Sequence, residues 1–331
     1  MAKKILVDFE KIKDPYSGLG QVCLHLKKYF DQSDLQINYW IPTSLKKLTK
    51  FIPVLLPASD VFHAIHQDSP YYPTNKKTKF IFTVHDLNYI YQRKDRPKKV
   101  ARYKKTLQQR LDRADVVTFI SEFARTDVLN NFKLDINKTQ VIYNGISLGS
   151  EEKAPDFIPT KKFLFTMGTV LPKKNFHVLV EMMKYLPEYQ LVIAGINHSD
   201  YAKKIQEDIT KNHLNEQIKL VGTIEEANKV WYYKHASAFV FPSLFEGFGL
   251  PIVEAMSLGL PLFLSTKTSI PEIGGPEAYY FEHFEAKYMA QVIEKGMSEF
   301  NEEKRQKLLE RSKIFSWKEA ARAYLALYAR L

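Results

Sequence analysis

Short apolar runs alternate with helical patterns along the whole chain, and this alternation restricts the fold more than any other feature. In the first half KILVDF, LQINYW, VFHAI, FIFTVHD, DVVTFIS and TQVIYNG read as strands. Helical patterns reach from SGLGQ to about Phe30, over 97–113, and from Glu122 to about Phe132. In the second half FLFTM, YQLVIAG, QIKLVG, ASAFVFPS and LPLFLS are strands, separated by NFHVLVEMMKYL, a polar helix over 199–212, EANKVWYYKHA and PIVEAMSLG. Two or three helices finish the chain. Strands joined through helices need crossover connections, so the pattern predicts α/β architecture with parallel sheets.

At 331 residues the chain exceeds one ordinary core. The polar stretch 150–162, SEEKAPDFIPTKK, carries two prolines and is the linker candidate. It predicts a first domain over 1–149 and a second over 163–317, with a last helix at about 318–331 packing back on the first. Two Rossmann-like domains facing a cleft are the natural packing, with ligand sites at the C-terminal ends of strands.

The formal net charge is +11. Residues 1–155 hold 26 basic and 16 acidic side chains, a net +10; residues 156–331 hold 22 and 21, a net +1. The densest stretch is 93–113. Pro97 suits a helix first turn there, and Val100, Tyr103, Leu107 and Leu111 form one apolar stripe. Arg93, Lys94, Arg96, Lys98, Lys99, Arg102, Lys104 and Lys105 then make a basic face, either merely solvated or docking on anionic lipid. A single cysteine, Cys23, excludes an intrachain disulfide and a multi-thiolate metal site. Asp8 and Glu10 interrupt the apolar start, unlike a signal peptide, and no apolar run approaches a transmembrane helix. The expectation is a cytoplasmic protein, peripheral on the inner face of the membrane.

The segment FPSLFEGFGLPIVEAM, 241–256, is the richest in chemistry. A strand ends at Pro242, a glycine loop follows, and Pro251 suits position N1 of a helix. That arrangement offers backbone N–H groups at a positive helix end, a site for an anion. Glu246 lies in the loop and Glu254 is expected in the first helical turn. Carboxylates repel phosphate but accept hydrogen bonds from vicinal sugar hydroxyls, so the segment suits a nucleotide sugar. A glycine turn before a helix with a well-placed glutamate is the plainer alternative. Lys173 and Lys174, in the loop after FLFTMG, suit a diphosphate. The Gly18–Gly20 pair reads equally as a tight turn, and His85 equally as a structural histidine. The histidines show no metal-ligand spacing, so no metal is expected. No P-loop, G-x-S-x-G or H-E-x-x-H pattern occurs.

Taken in order, GLGQV, HDL, SEFARTDVL, VIYNGI, GTVLPKKN, VGTI, FPS with FEGFGLPIVEAM, SIPEIGG and FSWKEAARAYLALY resemble the retaining glycosyltransferases of family 4. The likeness spans almost the whole chain, and the E-x7-E element of Glu246 and Glu254 is its strongest motif. It implies the GT-B fold. It implies that Glu246 contacts hydroxyls of the transferred sugar, while the backbone of Gly247, Phe248, Gly249 and Leu250 approaches sugar and diphosphate. Glu254 would hold the ribose, Lys174 and Lys173 the diphosphate, and His85 would face the donor sugar from the other domain. Gly18 and Gly20 match the first-loop glycines near diphosphate or acceptor. Val221, Gly222 and Thr223 fall where the family holds the base. Thr169 departs from the pattern: it stands where many members carry a diphosphate-binding arginine, so more charge falls to Lys173 and Lys174.

The expected reaction moves a hexose from a nucleotide-diphosphate sugar to a hydroxyl of a saccharide or lipid-linked acceptor, with retention and without a metal. No cofactor is expected beyond the donor itself. GDP-mannose is the first expectation for the donor and UDP-glucose or UDP-GlcNAc the next. Another GT-B reaction, epimerase or phosphorylase, is the alternative. A nucleic-acid binder is disfavoured because the basic half carries no nucleic-acid motif.

Overall fold

A computed structural model describes residues 3–14, 17–42 and 56–331. It separates into two units, residues 1–145 with 316–331, and residues 146–315.

The first unit contains β1 (Ile5–Asp8), α1 (Gly18–Phe30), β2 (Ile37–Trp40), β3 (Val61–Ala64), β4 (Lys79–Val84), α2 (Asn88–Gln92), α3 (Pro97–Arg113), β5 (Val116–Phe119), α4 (Glu122–Asn131) and β6 (Thr139–Val141). Its strands form one parallel sheet in the order β2-β1-β3-β4-β5-β6. Strands β1, β3 and β5 are buried throughout, as near-continuous apolar runs covered on both faces must be. Phe62, Phe80, Phe82, Phe119 and Leu107 meet in its core. Ser17 and Ser121 cap α1 and α4, their hydroxyls accepting from Gly20 N and Ala124 N. Helix α3 runs over the expected residues, with Leu107 and Leu111 buried and most of the basic side chains outside.

The second unit contains β7 (Lys162–Met167), α5 (His177–Met183), β8 (Tyr189–Ala194), α6 (Asp200–Lys211), β9 (Ile218–Gly222), α7 (Glu226–His235), β10 (Ala238–Phe241), α8 (Leu250–Ser257), β11 (Leu262–Ser265), α9 (Ile270–Gly274), β12 (Tyr279–Phe281), α10 (Ala286–Glu299) and α11 (Glu302–Ser312). Its parallel sheet has the order β12-β11-β10-β7-β8-β9. Read from the other edge, this is the 3-2-1-4-5-6 order of dinucleotide-binding sheets, and the direction of winding reverses between β7 and β10. Leu164, Phe176, Leu191, Val240 and Phe263 lie in its core. Residues 150–162, expected as a linker, fall inside this unit: Pro155 is buried, Lys153 N donates to Ala227 O, and Phe157 O accepts from Tyr232 Oη at 2.7 Å.

The last helix, α12 (Trp317–Arg330), belongs to the first unit. A buried polar chain fastens it there. Tyr328 Oη lies 2.7 Å from His63 Nδ1, His63 Nε2 lies 2.7 Å from Thr83 Oγ1, and Thr83 meets Thr118 at 2.7 Å. Burial pushes the His63 imidazole down to about 3. Its folded value lies below its unfolded one of about 6.5, so its contribution is whole above that pH and drains away as pH falls towards 3. The stability advantage of the wild type over His63→Asn should therefore hold steady above pH 6.5. Below it, the advantage should shrink by up to about 1.4 kcal/mol per pH unit. Urea unfolding of both proteins from pH 8 to pH 4 measures it; a gap independent of pH would refute the neutral buried imidazole.

Candidate active site

The site residues of the second unit gather at the C-terminal ends of β7 and β10, where the sheet reverses. After β7 the chain passes Gly168 at φ 146° and the exposed Thr169, then makes a 3-10 turn over Pro172–Lys174. Asn175 closes that turn in the left-handed region, at φ 59°. The turn points Lys174 inward, leaving it 8% exposed. Its ammonium donates to Glu246 Oε1 at 2.7 Å and stands 4.8 Å above the Phe241 ring. The carbonyl of Lys173 accepts from Leu244 N at 2.7 Å and Ser243 Oγ at 3.1 Å, joining the two loops.

The loop after β10 is held at several points. Ser243 Oγ donates to Glu246 Oε1 at 2.6 Å, and Glu246 N donates to Thr268 Oγ1 at 3.0 Å. Ser269 Oγ bonds Glu246 O at 2.9 Å and Phe248 O at 3.1 Å. Burial alone would raise the Glu246 carboxyl. The ammonium groups of Lys174 and Lys173 outweigh it and hold the group below the usual glutamate range. The site thus contains an ionised carboxylate that accepts hydrogen bonds, set against cations. Gly247, Phe248 and Gly249 are buried, and Gly249 caps α8.

Bare backbone lies beside Lys174. Gly195 N donates to Gly222 O at 2.7 Å and Gly168 N to Ala194 O at 2.9 Å, which laces the ends of β7, β8 and β9 together. Gly195 adopts φ 130°, and a Cβ there would stand 2.2 Å from the Gly168 carbonyl oxygen. A Cβ on Gly168 would stand 2.9 Å from Lys174 Cε. Only glycine fits this ledge. Gly222 and Thr223 follow it at the end of β9, with Thr223 exposed.

Two expectations for α8 need correction. The helix starts at Leu250, so Pro251 is its second residue and Glu254 its fifth, beyond the first turn. Glu254 is 4% exposed and already bonded within the unit. Lys229 Nζ donates to its Oε1 at 2.9 Å and Tyr233 Oη to its Oε2 at 3.0 Å. Lys229 also reaches Ser147 O at 3.0 Å and Glu226 Oε2 at 2.9 Å, which occupies all three ammonium hydrogens. Burial pushes the Glu254 carboxyl up, although Lys229 and Tyr233 act against it. Lys229 and Tyr233 were not identified from the sequence. Their spacing puts both on one face of α7, but the partner that gives the pair meaning lies 25 residues from Lys229 in the chain.

The first-unit candidates lie at other strand ends. His85 follows β4, and its Nε2 donates to Ile65 O at 2.7 Å. Burial lowers the imidazole to about 4, so it is neutral, with Nδ1 as the acceptor. Gly18 borders open space, whereas a Cβ on Gly20 would stand 1.8 Å from Asp14 O. Gly20 is therefore required by the close approach of α1 to the carbonyl of Asp14, at the end of the preceding 3-10 turn. On and before α3, Lys94, Arg96, Lys98, Lys99, Arg102 and Lys105 are exposed. Arg93 lies over the Tyr89 ring at 4.7 Å, and Lys104 bonds Asn131 Oδ1 at 3.2 Å. Among the described residues, no helix is long and apolar enough to cross a membrane.

Two family models account for most of the chain. Residues 150–314 match "Glycosyl transferases group 1" and residues 14–150 match "Glycosyltransferase Family 4". Among curated relatives, O-antigen chain mannosyltransferase B of Escherichia coli is 26% identical over 325 residues, covering 82% of this chain and 84% of that protein. Serotype-specific mannosyltransferase WbdA of Escherichia coli is 27% identical over 240 residues, covering 66% of this chain; the chain spans only 29% of that longer protein. Among solved structures, Anabaena Alr3699/HepE in complex with UDP and glucose aligns with TM-score 0.75 at 16% identity, covering 99% of this chain and 100% of that one. With two six-stranded parallel sheets and both family models in sequence order, the chain belongs to the glycosyltransferases of group 1 and family 4 and has the GT-B fold.

Proposed function

We propose that this glycosyltransferase moves a hexose, with retention, from a nucleotide-diphosphate sugar to a hydroxyl of a saccharide or lipid-linked saccharide in cell-surface polysaccharide synthesis. The observation that carries this reading is the pairing of Lys174 with Glu246 at the switch point of the second sheet, beside Lys173. Lysines at a strand end stabilise charge that develops on a departing diphosphate, often the largest catalytic contribution. In this role they need no metal at the donor site. Glu246 accepts from the hydroxyls of the transferred sugar and Glu254 from the ribose. The backbone at Gly247–Leu250 receives the diphosphate, and the Gly222–Thr223 corner receives the base. His85 accepts from a hydroxyl of the donor sugar through Nδ1. GDP-mannose is the first donor to test, because both Escherichia coli relatives are named mannosyltransferases. UDP-hexoses come next, in view of the ligands bound to the Anabaena protein.

The test is release of nucleoside diphosphate from a panel of GDP- and UDP-sugars, with a thermal-shift screen of nucleotides and DNA. Stabilisation by a nucleoside diphosphate, with acceptor-dependent turnover of its sugar, is the expected result. Stabilisation by DNA and by no nucleotide would overturn the reading.

The exposed cations of residues 94–105 support peripheral binding to an anionic membrane. Within that stretch Arg96 pairs with Asp95 at 3.4 Å. Replacing Lys98, Lys99, Arg102 and Lys105 by glutamine should weaken binding to vesicles rich in anionic lipid about a hundredfold or more, at about 1 kcal/mol per charge. Salt should erase most of the difference between the two proteins. Wild-type binding that ignores anionic lipid content and salt would rule this surface out.

A further inference from the structure

The first sheet has a switch point of its own, between β1 and β3, and the proposed donor chemistry does not use it. Three side chains converge there. Asp8 ends β1, Glu10 opens the 3-10 turn Glu10–Lys13, and His66 follows β3 by two residues. One ligand atom from each lies within 4.8 Å of the other two. Asp8 is 0% and His66 1% exposed. Both ring nitrogens of His66 are buried and have no hydrogen-bond partner among the described residues. A buried imidazole with both nitrogens idle is costly, so the position calls for a ligand.

We propose that Asp8, Glu10 and His66 bind a divalent transition-metal cation of the zinc class. One imidazole with two carboxylates and no thiolate suits such an ion, whereas magnesium and calcium favour oxygen ligands alone. Metal–ligand bonds of about 2.0–2.2 Å bring ligand atoms to about 3–4 Å from one another. The half-buried Glu10 closes the remaining gap by rotating its side chain. The outer contacts that orient such a ligand are in place: Glu10 N donates to Asp8 Oδ1 at 3.0 Å, and Ser69 Oγ donates to Asp8 Oδ2. The positive charge of Lys11 acts on both Asp8 and His66 and opposes a cation there. The site lies wholly within the first unit, and it stands or falls independently of the donor reading.

The test uses the full chain, stripped with chelator and titrated with Zn²⁺ by calorimetry and with Co²⁺ by visible absorption. The wild type should take up one equivalent and give a Co²⁺ ligand-field spectrum. His66→Ala should lose that spectrum and bind Zn²⁺ about a hundredfold or more weaker, and Glu10→Gln about tenfold or more weaker. Lys11→Met should bind at least as tightly as the wild type. If His66→Ala fails to fold by circular dichroism, Glu10→Gln on the half-exposed turn decides the matter alone. Zn²⁺ affinity within twofold of wild type in a folded His66→Ala or Glu10→Gln, or no uptake by the wild type, overturns the proposal.

Discussion

Replacing Lys174 by methionine should lower kcat about 10²–10³-fold while changing the donor KM much less. A group that meets charge mainly as the diphosphate departs contributes to the transition state more than to the ground state. The side chain is buried, 2.7 Å from Glu246 and against the Phe241 ring, so no solvent cation can take its place. The same change strands the Glu246 carboxylate, and breaking a buried pair costs about 3–5 kcal/mol of stability. A second variant separates the two effects. Lys174→Met with Glu246→Gln removes the orphaned charge and should recover much of the stability but none of the turnover. Wild-type kcat in Lys174→Met, or recovery of turnover with stability in the double variant, would reduce the lysine to a structural counter-ion.

Removing Glu254 should have the next largest effect. Glu254→Ala should weaken nucleoside diphosphate binding by about tenfold to a hundredfold, the weight of one or two hydrogen bonds from a hydroxyl to a charged group. Lys229→Met should do nearly as much, although Lys229 is assigned no contact with the donor. The lysine spends all three of its hydrogens on Ser147, Glu226 and Glu254, so its role is to hold that carboxylate ionised and oriented. Residues that act as one unit are not additive. The double variant should therefore bind no more weakly than Glu254→Ala. Additive losses measured by calorimetry would mean that Lys229 acts separately, and an unchanged Kd in Glu254→Ala would remove the ribose role.

The inner strands of both sheets could be read from the sequence because they are buried on both faces and carry almost no polar interruption. KFLFTM and YQLVIA leave little else to fold into. Helix α3 was equally legible, since one apolar stripe in a basic surround fits only an amphipathic helix. The short strand Tyr279–Phe281 was missed because three residues hold no period. Within the site, Lys174, Glu246 and Glu254 stood out through their neighbours in the chain. Which lysine belongs to which glutamate did not, because Lys174 meets Glu246 across 72 residues. Lys229 sits in an ordinary helical pattern, and only burial beside Glu254 distinguishes it. Asp8, Glu10 and His66 come together for a similar reason: adjacent positions of β1 and β3 in the sheet bring residues 56 or more apart in sequence onto one crevice. Gly20 carries a packing constraint that the sequence did not show, the carbonyl of Asp14.

The central claim is retaining transfer from a nucleotide-diphosphate sugar, and the anomeric configuration of the first product tests it most directly. The purified protein is incubated with each α-linked GDP- and UDP-hexose and an oligosaccharide acceptor, and the new linkage is read by proton NMR before any anomerisation. An α-linkage should form from at least one of these donors, with one nucleoside diphosphate released per bond. A β-linkage, or release of nucleoside diphosphate from every donor without a new glycosidic bond, would contradict it.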